Sequence, residues 1–227
     1  MKKPNLITKK MVVQRSIPIE LISIPEKDLH IGKYLITKEE YEIIMGPHNP
    51  KVLVLTPYTE YEKPEKAPVL DVTWKSAQKF CENLTKIARD LNLIPVNMEF
   101  RLPTSAEWQA YCQRDTNLKR MENKPNALGF CIAKEGILAW NGVCEWCQDC
   151  YPPDPRNYHA ACGGYPGHEN KILYYYEKEA DIALVGIRIV LAPVPPMSPK
   201  QKNKKLLESA KNSSNSLKTK YHLKIME

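Results

Sequence analysis

Cys144, Cys147 and Cys150 stand at C-x2-C-x2-C, a spacing used to ligate zinc and iron–sulfur clusters, and Cys162 with His159 or His168 would complete four ligands. Thiols so placed can also do redox or nucleophilic work on a substrate. The adjoining stretch RNYHAACGGYPGHENKILYYYEK, Arg156 to Lys178, carries a second kind of chemistry in Tyr158, His159, Tyr165, His168, Asn170, Tyr174, Tyr175 and Tyr176. Tyrosine supplies rigid contact area and Asn or Gly supplies adaptability, so this composition suits recognition. The plainer account is packing, with half of these rings turned inward and the thiols buried as small apolar side chains.

Composition narrows the setting. At 227 residues, 43% hydrophobic and 26% charged, the chain has the makings of one ordinary domain with some extra length. No stretch reaches the roughly 18 to 20 apolar residues of a membrane span, and MKKPNLITKKMVVQRSIPIE lacks the apolar core of a signal peptide. Seven cysteines, adding Cys81, Cys112 and Cys131, form an odd set that reads as thiols of a cytoplasmic protein. The net charge of +7 is uneven: from Pro193 to Glu227 eight lysines face Glu208 and Glu227, leaving 25 basic and 24 acidic residues before them. Nucleic acid or an acidic surface therefore enters only through the tail.

These side chains need elements to hold them. Thr37-Lys38-Glu39-Glu40 and Thr104-Ser105-Ala106-Glu107 fit the capping box and predict helices of about ten residues. A third helix is expected from Thr73 or Trp74, with Ala77, Phe80, Cys81, Leu84, Ile87, Ala88 and Leu91 on one stripe. Strands are expected at Ile17–Ser23, Ile31–Ile36, Val143–Asp149 and Val185–Leu191, and much of the rest reads as irregular. No βαβ rhythm appears, so the class is α+β. The boundaries are an N-terminal arm over 1–14, a domain over 15–192, and a basic, largely disordered tail over 193–227. Within that tail YHLKIME is a segment able to dock.

Six segments fall in an order that resembles the formylglycine-generating enzyme, or sulfatase-modifying factor, family. IGKYLITKEEY (31–41) is similar to the family's YEVTNAQY and PVLDVTWKSAQKFC (68–81) to PVxxVSWxDAxxYC. RLPTSAEW (101–108) nearly reproduces RLPTEAEW, while VCEWCQDCY (143–151), CGGY (162–165) and GIRIV (186–190) resemble VWEWxxDWY, RGGSW and GFRLV. The resemblance spans about residues 15 to 192 and implies a C-type-lectin-like fold with short strands and two or three helices. It implies structural roles for Trp74, Arg101, Glu107, Trp108, Trp146 and Arg188, as aromatic anchors and polar bridges in a fold with little regular structure.

The departures bear on function. Catalytic members use copper, oxygen and a C-x4-C pair after RGGSW to oxidise a substrate cysteine to formylglycine, whereas PGHENKILYYYEKEADIA (166–183) contains no cysteine. Copper has lost its ligands, and no cofactor is expected. The family's LYDMxGNVWEW becomes ILAWNGVCEW, which leaves Asn141 and Glu145 as the residues for calcium. The resemblance puts 144–150 on a strand, where Cys144 lies about 20 Å from Cys150 at ~3.3 Å per residue, too far to share one ion. The sequence thus points to a non-catalytic relative that binds a protein or other ligand through its Tyr-rich C-terminal loops. The competing class is an oxidoreductase of the formylglycine-generating type with rearranged cysteines, acting through Cys147, Cys150 or Cys162.

Overall fold

Each helix start is closed by the threonine that announces it. In the computed structural model, which describes residues 15–48, 67–112, 130–132, 138–140, 143–163, 173–180, 184–195 and 221–226, Thr37 Oγ1 accepts from the Glu40 amide at 3.2 Å. Glu40 Oε2 in turn accepts from the Thr37 amide at 2.8 Å. Helix α1 (Lys38–Met45) is eight residues long and stops at Gly46, whose φ of +91° few side-chain-bearing residues adopt. Helix α2 (Trp74–Asp90) has Thr73 as its cap. Its expected stripe holds: Ala77, Phe80, Cys81, Leu84 and Ala88 are buried, with Ile87 and Leu91 at the margin. Burying Phe80 and Leu84 contributes about 1.5–3 kcal/mol each. Thr85, absent from the stripe, is buried as well, because its hydroxyl accepts from the Phe100 amide at 2.8 Å and lies 2.8 Å from the Cys81 carbonyl. The Thr104–Glu107 box opens only a short α3 (Ser105–Glu107), which runs on as a π-helical turn over Trp108–Cys112.

The strands are β1 (Arg15–Ile24), β2 (Leu29–Gly32), β3 (Met98–Arg101), β4 (Phe130–Ile132), β5 (Leu138–Trp140) and β6 (Cys144–Cys150). They continue with β7 (Tyr158–Cys162), β8 (Leu173–Glu177), β9 (Val185–Gly186), β10 (Val190–Pro193) and β11 (Tyr221–Met226). One sheet has the order β11-β1-β2-β10-β3, a second β8-β7-β6-β9, and β4 and β5 pair by themselves. The architecture is α+β, with short strands and short helices. Within the tail, YHLKIM forms β11, parallel to β1 with Arg15 opposite Tyr221 and Glu20 opposite Met226. No helix among the described residues is long and apolar enough to cross a membrane.

Three expectations are corrected. The strand read at Ile31–Ile36 ends at Gly32, beyond which Lys33 bonds to Glu20 and Ile36 to Ile187. Val185–Leu191 is two strands, split around Arg188. The tyrosine-rich region read as irregular contains β7 and β8 as a regular antiparallel pair, in which Tyr158 faces Glu177, Ala160 faces Tyr175 and Cys162 faces Leu173.

Two cores result. Ala161, Trp146 and the stripe of α2 share one; Cys147, Ala160 and Cys162 share the other with Trp108, Cys112, Ile31 and Val190. The β8-β7-β6-β9 sheet contributes to both, as alternation of side chains across a strand requires.

Candidate functional site

Arg188 leaves the chain between β9 and β10 and is fully buried, which an unpaired guanidinium would not survive. Glu145 on β6 meets it in a fork, Nε to Oε2 at 2.7 Å and Nη2 to Oε1 at 2.8 Å, and Nη1 donates to the Gly32 carbonyl at 2.6 Å. Burial alone would lower the Arg188 pKa, but the Glu145 carboxylate outweighs it and holds the guanidinium above its ordinary value. Trp108 Nε1 donates to Glu145 Oε2 at 2.7 Å, so both oxygens of this buried carboxylate are taken. At Glu145, expected as a calcium ligand, a hard cation would have to displace Arg188 and Trp108. Asn141, its expected companion, lies outside the described residues.

The other scaffold residues are tied in similarly. Arg101 and Glu107 form a second fork at 2.8 and 2.7 Å. Burial would raise the Glu107 carboxyl, but Arg101 and the Thr104 amide hold it below its usual value. Trp146 Nε1 donates to the Val72 carbonyl and Trp74 Nε1 to that of Cys147, both at 2.8 Å.

The four cysteines do not converge. Cys144 belongs to the core of α2, Cys147 and Cys162 to the other, and Cys150 is half-buried at the end of β6. Alternation along β6 puts Cys147 on the same face as Glu145, whose partner on β7 is Cys162. Cys147 is thereby in hydrogen-bond contact with Cys162, which, with burial, pushes the Cys147 thiol well up. Burial likewise raises Cys112 in the same core to about 12. Cys147 and Cys112 are thus protonated and buried.

The eight tyrosine-region residues separate by strand alternation. His159 turns inward and stacks on Trp74, with centroids 3.5 Å apart and planes 11° apart; burial lowers its pKa. Tyr174 and Tyr176 stack at 6.1 Å against the α2 core, Tyr176 edge-on to Trp146. These three, named among the candidate binding residues, pack inward. Tyr165, His168 and Asn170 lie outside the described residues. Tyr158 and Tyr175 share the opposite face, and there they meet Tyr151, which sequence reasoning missed. Tyr151 is 5.0 Å from Tyr175 and 6.3 Å from Tyr158 between centroids, and Tyr151 and Tyr175 remain 39% and 37% exposed. Its signal was present, since Tyr151 closes the VCEWCQDCY motif just before Pro152-Pro153-Asp154-Pro155 returns the chain to β7.

Comparison with known proteins bears on the family and the fold. The family model described as sulfatase-modifying factor enzyme 1-like domain matches residues 8–127, just over half of the chain. The chain belongs to this family. No curated protein sequence matches this sulfatase-modifying-factor-like chain significantly. Among solved structures, Treponema denticola variable protein 1 is similar at 18% identity, covering 76% of this chain and 91% of its own, with a TM-score of 0.52. A structure titled CarF is similar at 17% identity, covering 74% and 87%, again with a TM-score of 0.52. At such identities the likeness concerns the fold alone.

The copper of catalytic relatives can be tested against this sulfatase-modifying-factor-like domain. A soft cuprous ion wants deprotonated thiolates within reach of a substrate thiol. The segment 166–183 offers no cysteine, and the thiols in mutual contact, Cys147 and Cys162, are fully buried, with Cys147 held protonated. These residues do not fit the group.

Proposed function

We propose that the protein is a non-catalytic sulfatase-modifying-factor-like domain that holds a protein or other ligand against the tyrosine face at the Tyr158 end of β7 and β8. The observation that supports this reading is the aromatic corner of Tyr151, Tyr158 and Tyr175: Tyr151 touches each of the other two rings, and Tyr151 and Tyr175 are more than a third exposed, on a sheet whose other tyrosines are packed. The cysteine-free segment 166–183 supports the non-catalytic part. The competing oxidoreductase reading has one observation in its favour, since Cys150 is the half-buried member of the thiol set.

The test is direct. The protein is incubated with copper(I), oxygen and a sulfatase-type cysteine peptide, and formylglycine is sought by mass spectrometry. No product is expected. Turnover that disappears in Cys150→Ser would refute the proposal in favour of the oxidoreductase.

A further inference from the structure

The aromatic corner carries a charge as well as a shape. Strand pairing sets Tyr158 directly opposite Glu177, and Tyr158 Oη donates to Glu177 Oε1 at 3.2 Å. Asp154, in the turn between β6 and β7, is held by Asn157 Nδ2 at 3.1 and 3.2 Å. The Tyr158 phenol feels both carboxylates, the Glu177 hydrogen bond and charge first, and its pKa is raised accordingly. The rings are not a flat stack: Tyr151 is inclined by 73° to Tyr158 and by 49° to Tyr175, so their faces look in different directions around one corner. Among the described residues no lysine or arginine of the chain covers these rings; the cation–π contact present is Lys33 over Tyr34.

Angled tyrosine faces with carboxylates at their rim are complementary to a cation. The ring quadrupole attracts the charge, and the acid supplies a partner for its N–H groups. A neutral ligand would gain the ring contact and ordinary hydrogen bonds to the carboxylates but not the attraction of their charge. We propose that Tyr151, Tyr158, Tyr175, Glu177 and Asp154 form a binding site for an arginine or lysine side chain of a protein partner. This rests on the reading of β7 and β8 as a recognition face, and it names the chemistry that the face selects. The part of the chain before Pro193 is nearly neutral, with 25 basic and 24 acidic residues, so binding of a polycation there reports a local site.

The experiment is fluorescence anisotropy with labelled hexa-arginine and neutral hexa-serine peptides on the full chain. Hexa-arginine binds and hexa-serine does not. Tyr175→Ala weakens hexa-arginine binding about tenfold, Tyr175→Phe leaves it near the starting value because the ring face remains, and Glu177→Gln weakens it about threefold. Equal binding of the two peptides, indifference to both Tyr175→Ala and Glu177→Gln, or displacement of hexa-arginine by a neutral methyl glycoside overturns the proposal. Failure of hexa-arginine to bind, with no formylglycine formed, removes the cation assignment and leaves ligand binding by the tyrosine face standing. Formylglycine formation removes the underlying reading itself.

Discussion

Replacing Arg188 by methionine removes a charge that the fold has enclosed completely and leaves Glu145, 1% exposed, with Trp108 as its hydrogen-bond donor. Breaking one side of a buried ion pair costs about 3–5 kcal/mol, because the remaining charge has no counterpart. The loss also strips a donor from the Gly32 carbonyl at 2.6 Å, which adds about 1 kcal/mol. A total near ~5 kcal/mol corresponds to a fall in Tm on the order of 10 °C or more for a domain of this size. The assay is urea unfolding at neutral pH followed by tryptophan fluorescence, with Trp108 touching the pair as reporter. The double variant Arg188→Met with Glu145→Leu should lose less than the sum of the two singles, since no unpaired charge then remains inside. As a control, Arg101→Met breaks a fork whose side chains are 16% and 23% exposed, and should cost about 1 kcal/mol. A loss below about 1 kcal/mol for Arg188→Met, or strict additivity in the double variant, would refute the reasoning.

Two other positions make sharp tests. Gly163 has φ of +130°, and a Cβ there would lie 2.6 Å from the Val143 carbonyl oxygen and 2.9 Å from Cys144 Cα, both backbone atoms. Gly163→Ala should cost about 2 kcal/mol or more in thermal unfolding, and an unchanged Tm would show that β6 does not pass so close. His159 is buried neutral, below its ordinary value of 6.5, so the unfolded chain takes up a proton first as the solution is acidified. Its contribution is complete above pH 6.5 and is lost as pH falls below that value; the urea midpoint should drop from pH 6.5 to 5, and His159→Gln should flatten that slope.

What the sequence made legible was local. Thr37 with Glu40 and Thr104 with Glu107 satisfy each other across three residues, and the α2 stripe is written in one window. Strands β7 and β8 escaped because YHAAC and LYYYE do not alternate apolar with polar: at the Cys162 end both sheet faces are buried, and tyrosines line both faces of β8. Glu145 was read for calcium because its decisive partner, Arg188, stands 43 positions away and meets it only through the pairing of β6 with β9. The contact of Cys147 with Cys162 depends on the pairing of β6 with β7, which no spacing records. Tyr151 became part of the aromatic corner only once β7 and β8 were aligned beside the turn that carries it.

The parallel ladder of β11 on β1 has a practical corollary for the lysine-rich stretch. A chain cut after Ala192 would lose more than positive charge: Arg15–Glu20 would forfeit six opposing residues, and the sheet would acquire a bare margin on which molecules stick to one another. Any loss of salt-sensitive adhesion in such a truncation would report self-association as readily as missing ammonium groups. Converting the lysines from Lys200 to Lys220 into glutamines, with Tyr221–Met226 retained, separates electrostatic attraction from repair of the sheet boundary.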